Sequence, residues 1–284
     1  MFRFGPAGIP SSAKGEDTAA GVKECSRLGL AAMEVEFVRG VYMTKEEQAE
    51  ETAKASREKD ISLSIHCPYW VNCCGKEEKK INLSVHHIFA SAQAAQWLGV
   101  KKIVFHPGYY MGRDSKTCGK LIKSTLQRIL DKMEERKVKG VLLAPETAGA
   151  VSEWGSLEEI LWLSNELDNT SFCIDFCHLH ARQGGVLKGE NDYLKVFEQI
   201  EKSAGKKAVE NIHIHFSGVE FGEKGERKHL PIDSDSPPWK PFMKLLAEKG
   251  EENGYGGTII CESPLTEKDA LKMKNLYDKL ENKK

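Results

Sequence analysis

Residues Ser171-Phe172-Cys173-Ile174-Asp175-Phe176-Cys177-His178-Leu179-His180 run apolar, like a buried strand, and then break into side chains that hold metals and protons. Phe172, Cys173 and Ile174 suit a strand covered on both faces, as in a parallel sheet wrapped by helices. Asp175 and His178 follow where such a strand leaves the core, and in parallel α/β proteins that carboxyl end is where ligands bind. The bland alternative is a capped turn, with Asp175 bonding backbone amides and His178 a half-buried, hydrogen-bonded histidine. One stretch does not choose between the two, but the pattern recurs along the chain.

Short β-branched or apolar runs alternate with amphipathic stretches at intervals of roughly 25 to 45 residues, the pattern of βα units. The expected strands are Phe2–Gly5, Ala32–Val38, Ser62–Cys67, Lys102–His106, Val141–Glu146, Ser171–Asp175, Ile212–Phe216 and Thr258–Glu262. Helices are expected at about 18–28, 44–59, 80–98, 115–137, 157–167, 192–203, 239–253 and 266–282. Thr44 before Lys45-Glu46-Glu47 has the form of a capping box, and Gly99 after Leu98 that of a helix stop. Eight such units with no dividing linker predict a single-domain (β/α)8 TIM barrel over residues 1–284. The rival, a doubly wound open sheet, wants a G-x-G-x-x-G loop after its first strand, and Gly5-Pro6-Ala7-Gly8-Ile9-Pro10 lacks that spacing. Long connections at Tyr69–Lys79, Gly108–Asp114 and Ser217–Pro238 belong to the active face of such a barrel, the last as a substrate-covering loop.

With 284 residues, 40% of them hydrophobic, the chain can bury a large core. Its 41 basic and 42 acidic residues nearly cancel, so any nucleic-acid binding must come from a local patch. No targeting segment and no long apolar run is visible, and a soluble, cytoplasmic protein is expected. Eight cysteines without a Cys-x-x-Cys pair suggest buried thiols rather than a disulfide framework, with the reactivity of Cys73-Cys74 left open.

Six consecutive strands end in a metal-grade residue: His66, His106, Glu146, Asp175 with His178, His215, and Glu262. Imidazoles and carboxylates without thiolates suit zinc, manganese or iron(II). Seven ligands exceed the needs of one tetrahedral ion, so at least two ions sharing a carboxylate at the carboxyl-terminal rim is the economical reading. Taken singly, His66 or His106 would more often be a core-edge histidine, and Glu146 or Glu262 the partner of an arginine; the coincidence at matching strand ends is what argues for a cluster. His213 shares a strand face with His215 and should lie one layer deeper. His86-His87 reads as surface or packing, while His180 and Glu36 are lesser candidates for site groups.

These residues resemble endonuclease IV, the zinc-dependent apurinic/apyrimidinic endonucleases (AP endonuclease family 2) within the xylose-isomerase-like barrels. Cys173-Ile174-Asp175-Phe176-Cys177-His178 is similar to the family's C-[IL]-D-[TS]-C-H signature, and Phe105-His106-Pro107-Gly108 to its H-P-G strand end. His66-Cys67-Pro68-Tyr69-Trp70-Val71-Asn72 resembles H-x-x-Y-x-x-N, and Glu146-Thr147-Ala148-Gly149 is similar to E-N-T-A-G with one residue missing. His215 fits the H-L-N-D position, and Cys261-Glu262-Ser263-Pro264 resembles L-E-T-P. The matches run from Ile65 to Pro264; the segment before Ile65 has no close counterpart.

The resemblance implies one zinc on His66, His106 and Glu146, and a second on Glu146, Asp175, His215 and Glu262, with manganese an alternative at one site. A third ion would take His178 and two ligands that the family supplies as D-R-H. Here the loop reads Gly225-Glu226-Arg227-Lys228-His229, with Glu226 and His229 three apart instead of two, which leaves the third set open. The family inserts side chains into DNA at the lesion, and Tyr69 falls on that position, with Arg39 beside it in the minor groove and Arg227 among the phosphate contacts. The implied reaction is hydrolysis 5′ to an abasic sugar in double-stranded DNA by a monomer, with Glu146 bridging ions and Glu262 orienting water. The alternative is a sugar isomerase or epimerase of the same barrel class, for which Glu146, Asp175, His215 and Glu262 around one divalent ion suffice. A non-catalytic barrel would leave the cluster without a purpose.

Overall fold

The computed structural model describes residues 1–282. Eight parallel strands form an inner wall: β1 (Phe2–Pro6), β2 (Ala32–Glu36), β3 (Ser62–His66), β4 (Lys102–Phe105), β5 (Leu142–Pro145), β6 (Cys173–Asp175), β7 (Ile212–Phe216) and, after a hairpin of β8 (Gly218–Gly222) and β9 (Gly225–Leu230), β10 (Gly257–Cys261). They pair as two arcs, β2-β3-β4-β5 and β6-β7-β10-β1. Bridges from Ala7 to Glu34 and from Glu146 to Cys173 join the arcs into a closed barrel. Closure brings β1 tight against β2: a Cβ on Gly5 would overlap the carbonyl oxygen of Ala32, so glycine is required there.

The barrel is wrapped by α1 (Thr18–Arg27), α2 (Glu46–Lys59), α3 (Glu78–Leu98), α4 (Ser115–Glu135), α5 (Leu157–Glu166), α6 (Phe176–Arg182), α7 (Glu190–Ala204), α8 (Lys206–Glu210), α9 (Trp239–Asn253) and α10 (Glu267–Glu281). α4 shows why these segments are helical and where they face. Its buried Cys118, Ile122, Leu126, Ile129 and Met133 recur at helical spacing and leave the lysines outside. The inward faces of the helices together cover a shell of outward strand residues, among them Ile65, Ile103, Phe105, Leu143, Ile174, Ile214 and Ile259, all fully buried. Each such side chain contributes about 1.5–3 kcal/mol of burial free energy.

Side chains alternate across a strand, so the residues between these face the barrel interior. There Val104, Ala144 and Cys173 form a small apolar plug. One step further along the same faces come the polar residues of the rim, so the barrel wall itself decides which side chains meet above the plug.

The eight expected strands and the helix positions are present, with four differences. Several strands stop a residue or two early, leaving His106, Glu146 and Glu262 just past the last ladder residue. The Ser217–Pro238 connection is a β-hairpin followed by a turn at Ile232–Ser234. α6 and α8 lie where no helix was expected, because a seven-residue helix and a five-residue one are too short to show periodicity. At α2, Gln48 rather than Glu47 takes the backbone N–H groups of Thr44 and Lys45, at 2.8 and 3.1 Å. Among the cysteines, six are buried and unpaired, but Cys74 and Cys118 are joined as a disulfide between the loop after β3 and α4, a pairing that a separation of 44 residues conceals. Among the described residues, no helix is long and apolar enough to cross a membrane.

Candidate metal centre

Each rim residue sits two positions beyond an inward residue of its strand: His66 after Ser64, His106 after Val104, Glu146 after Ala144, Asp175 after Cys173, His215 after His213, Glu262 after Ile260. Strand parity therefore aims all six at the barrel axis. Two donor sets result. Ligand atoms of His66, His106 and Glu146 lie within 4.8 Å of one another, and so do those of Glu146, Asp175, His215 and Glu262. Glu146, fully buried, belongs to both. Its Oε2 faces His66 Nε2 at 3.3 Å and His106 Nε2 at 3.6 Å, and its Oε1 faces His215 Nδ1 at 3.3 Å and His178 Nδ1 at 3.2 Å.

Asp175 combines the two roles that its sequence left open. Its Oδ1 accepts the His178 backbone N–H at 2.8 Å and caps α6, while Oδ2 is buried with no hydrogen-bond partner. Capping starts α6 at once after β6, and the first turn of that helix carries His178 over the cluster.

A third group forms around His178. Glu226 links His178 Nε2 at 3.0 Å to His229 Nε2 at 3.1 Å. A separation of three along a regular strand would put Glu226 and His229 on opposite faces. The hairpin corrects this with a β-bulge: Val219 pairs with His229, Glu220 with Lys228 and Phe221 with Glu226, so Arg227 is the extra residue. The bulge returns acid and imidazole to one face, and the longer spacing costs the group nothing in geometry. The hairpin tip is pinned by the Glu226 N–H to the Gly149 carbonyl at 3.1 Å and the Val151 N–H to the Lys224 carbonyl at 3.1 Å.

The fold also selects the ring nitrogens. His66 Nδ1–H donates to the Cys67 carbonyl at 2.8 Å and His178 Nδ1–H to the Thr147 carbonyl at 2.9 Å, since a carbonyl can only accept. His229 Nδ1–H donates to Ser217 Oγ at 2.6 Å, whose own proton goes to the Gly218 carbonyl. In all three, Nε2 is left for the cluster. Burial alone would raise the Glu146 carboxyl, but His106, His215 and His178 hold it well below the ordinary range. Burial likewise opposes charge on His66, yet Glu146 and Glu36 raise it to about 10. Glu36 is pushed up to about 8 by burial, with Glu34 and Glu262 adding and His66 opposing.

Divalent ions fit this donor set. Glu146 Oε1, Asp175 Oδ2, His106 Nδ1 and His215 Nδ1 are buried without hydrogen-bond partners, which is costly unless something binds them. His106, Glu226, His229 and Glu262 keep 15 to 29% of their side-chain surface, marking the side from which solvent or substrate reaches the cluster.

Of the other residues singled out by sequence, Tyr69 and Trp70 stand 58% and 64% exposed on the rim, with the Tyr69 ring 5.6 Å from that of His66. Arg39 is exposed on the loop after β2, and Arg227 is exposed beside Glu220 at 3.5 Å. His180 is not brought to the cluster: it accepts the Leu187 N–H at 3.2 Å and packs edge-on against Phe221. His213 lies one layer below His215, as parity required, and its partner there is Glu34, a fully buried acid that sequence reasoning missed. The available signal was an acid two residues before Glu36 on the same inward face.

A family model for the xylose isomerase-like TIM barrel matches residues 22–280. An uncharacterized protein of Methanocaldococcus jannaschii is 41% identical over 280 residues, 99% of this chain and 98% of that one. A probable endonuclease 4 of Acholeplasma laidlawii is 27% identical over 238 residues, 72% of this chain and 80% of its own length. Among solved structures, endonuclease IV from Thermus thermophilus aligns with a TM-score of 0.71 at 20% identity, over 98% of this chain and all of that one. A D-tagatose 3-epimerase-like protein aligns equally well, with a TM-score of 0.71 at 19% identity over 98% of both chains. At those identities the two structures speak for the fold alone.

Two outcomes follow from this geometry. A Cβ on Gly149 would come 2.8 Å from Glu226 Cβ and 2.9 Å from the His178 ring, so Gly149→Ala should destabilise the protein by about 1–3 kcal/mol in urea unfolding. An unchanged midpoint would mean that the hairpin yields freely. In chelated protein, His66 holds a proton up to about pH 10 that the unfolded chain releases near 6.5. Its contribution to stability is then full below 6.5 and lost as pH rises through 10, so the thermal midpoint of the chelated protein should fall across that window, and zinc should flatten the fall. A midpoint that rises over the same window would contradict this electrostatic account.

Proposed function

The chain belongs to the family of xylose isomerase-like TIM barrels, and from that premise we propose that it is a zinc-dependent apurinic/apyrimidinic endonuclease of base excision repair. It would hydrolyse the phosphodiester 5′ to abasic sites in double-stranded DNA and leave a 3′-hydroxyl. The observation that carries this reading is the position of Glu146 between donor sets: His66 and His106 face one oxygen, and His215, in one set with Asp175 and Glu262, faces the other. A one-ion site has no use for the first pair. The endonuclease 4 relative, with 80% of its length covered, supports the same reading.

Two or three zinc ions held by His66, His106, Glu146, Asp175, His215 and Glu262, with His178, Glu226 and His229 for the third, would supply Lewis acidity and a water acidic enough to ionise near neutral pH. Glu262, part-exposed and 3.2 Å from His215 Nδ1 through Oε1, would help hold an ion and orient that water. Glu146, wholly buried, keeps a fixed negative charge between the sets. Tyr69 presents an exposed ring at the rim for the gap that a missing base leaves, and an abasic nucleotide leaves the stack cheaply. Arg39 and Arg227, both exposed, would meet phosphates and make binding salt-dependent.

One observation favours a sugar isomerase or epimerase instead. A cavity of about 640 Å³ by β2, α1 and α2 has acidic and neutral polar walls (Glu16, Asp17, Glu34, Glu36, Tyr42, Gln48, Glu51, Thr52) beside apolar Ile9, Met33, Val35 and Met43, with no lysine or arginine. Its link to the cluster is Glu34, 2.9 Å from His215. Such walls suit hydroxyl groups better than phosphates. Metal content separates the readings. Two or three zinc ions per chain with nicking of an abasic duplex is the expected result; one ion, no nicking and interconversion of ketoses would replace the endonuclease by the epimerase.

His106→Ala should remove one ion from the purified protein and lower nicking at least about 100-fold. Unchanged metal content would defeat the two-set reading. Tyr69→Ala should weaken binding to abasic duplex by about 1–3 kcal/mol while leaving intact duplex nearly unaffected, as read by fluorescence anisotropy. Equal loss on both duplexes would assign Tyr69 no part in lesion recognition.

A further inference from the structure

Glu34 is a fully buried acid that belongs neither to the two sets sharing Glu146 nor to the group around His178. It lies on the inward face of β2, and its charged neighbours are two imidazoles of β7. Oε2 is 3.1 Å from His213 Nε2, and Oε1 is 2.9 Å from His215 Nε2. The first contact is an aligned hydrogen bond. The second is short but off-line, so Glu34 Oε1 and His215 Nε2 are both buried without an aligned partner. A buried donor and a buried acceptor this close offset their cost by pairing, with the buried Cys173 thiol as the other group beside the His215 ring.

His215 is also turned the opposite way from its neighbours. His66, His178 and His229 have Nδ1 held by a backbone carbonyl or a hydroxyl and offer Nε2. His215 has Nε2 against Glu34 and offers Nδ1, which lies 3.3 Å from Glu146 and 3.2 Å from Glu262. Its orienting group is thus a full negative charge rather than a dipole.

We propose that Glu34 is a positioning residue: its carboxylate keeps the proton of His215 on Nε2 and so reserves Nδ1 for a divalent ion in the set Glu146, Asp175, His215 and Glu262. His213 completes the device from below, since its bond to Oε2 stops the carboxylate from swinging away. A carboxylate behind a metal-binding imidazole fixes the ring and strengthens the nitrogen that faces the ion. The inference rests on the reading of the cluster as a metal centre, and it concerns β2, a strand that supplies no ligand.

The test is zinc titration against a chromophoric chelator on wild type, Glu34→Gln and Glu34→Asp, with elemental analysis of each. Glutamine keeps the shape but can donate its amide N–H to Nε2, which drives the imidazole proton onto Nδ1. Glu34→Gln should weaken one zinc about 10- to 100-fold and leave the others within about threefold, and Glu34→Asp should recover part of the loss. Wild-type protein that binds no ion would sink the metal reading itself; wild type and Glu34→Gln binding every ion alike would sink the role of Glu34 alone. If the glutamine variant does not fold, the long-range ¹H–¹⁵N spectrum of zinc-loaded wild type decides. A proton on His215 Nε2 with zinc on Nδ1 is expected, and zinc on Nε2 would overturn the proposal.

Discussion

A carboxylate removed from water inside a barrel must be given charge or strong donors in return, or it will be protonated. Glu146 is the residue at which this constraint is most severe, since it has no exposed surface and lies at the meeting point of four imidazoles from four elements. The geometry of the rim follows from satisfying it. β3 and β4 supply two of those rings from one side, β7 supplies a third, and α6 the fourth. Of these elements only β4 is paired along its length with β5, so it takes a closed barrel to bring the other three rings to one carboxylate.

Economy in the use of Asp175 extends the same logic to local structure. One oxygen begins a helix by capping it, and the other is left bare at the cluster. The cap is what brings His178 within reach, so a residue that looked like either a fold determinant or a site residue is both. The bulge at Arg227 plays the corresponding part in the hairpin, where one additional residue restores the pairing of Glu226 with His229.

The barrel was legible because its signals are periodic and numerous: eight apolar runs, amphipathic stretches between them, and a polar residue at the end of six strands. The six strand-end residues were legible for the same reason, since parity along a strand is a rigid rule. What was hidden depended on contacts across the fold. Glu34 gives no sign in sequence of facing His213 and His215, 179 residues away in the first case. The register shift that rescues the third group is a property of two paired strands, and Gly225-Glu226-Arg227-Lys228-His229 read alone suggests that the acid and the imidazole diverge. The Cys74–Cys118 disulfide likewise joins segments whose neighbourhood only the packed loops reveal.

The same barrel serves proteins that handle sugars and proteins that handle DNA, and the two aligned structures do not distinguish them. The four-residue set Glu146, Asp175, His215 and Glu262 is what either chemistry needs, and it comes from strand ends. The residues beyond that set are His66 and His106, also at strand ends, on the far oxygen of Glu146, and His178, Glu226 and His229 on α6 and the hairpin. Of these, His106, Glu226 and His229 keep part of their side-chain surface, while His66 and His178 are buried, so the added donors reach from the interior to the open side of the shared set. Three groups of donors that share or adjoin one buried carboxylate are more than a single divalent ion can use, and that surplus is what sets this rim apart from a four-ligand site.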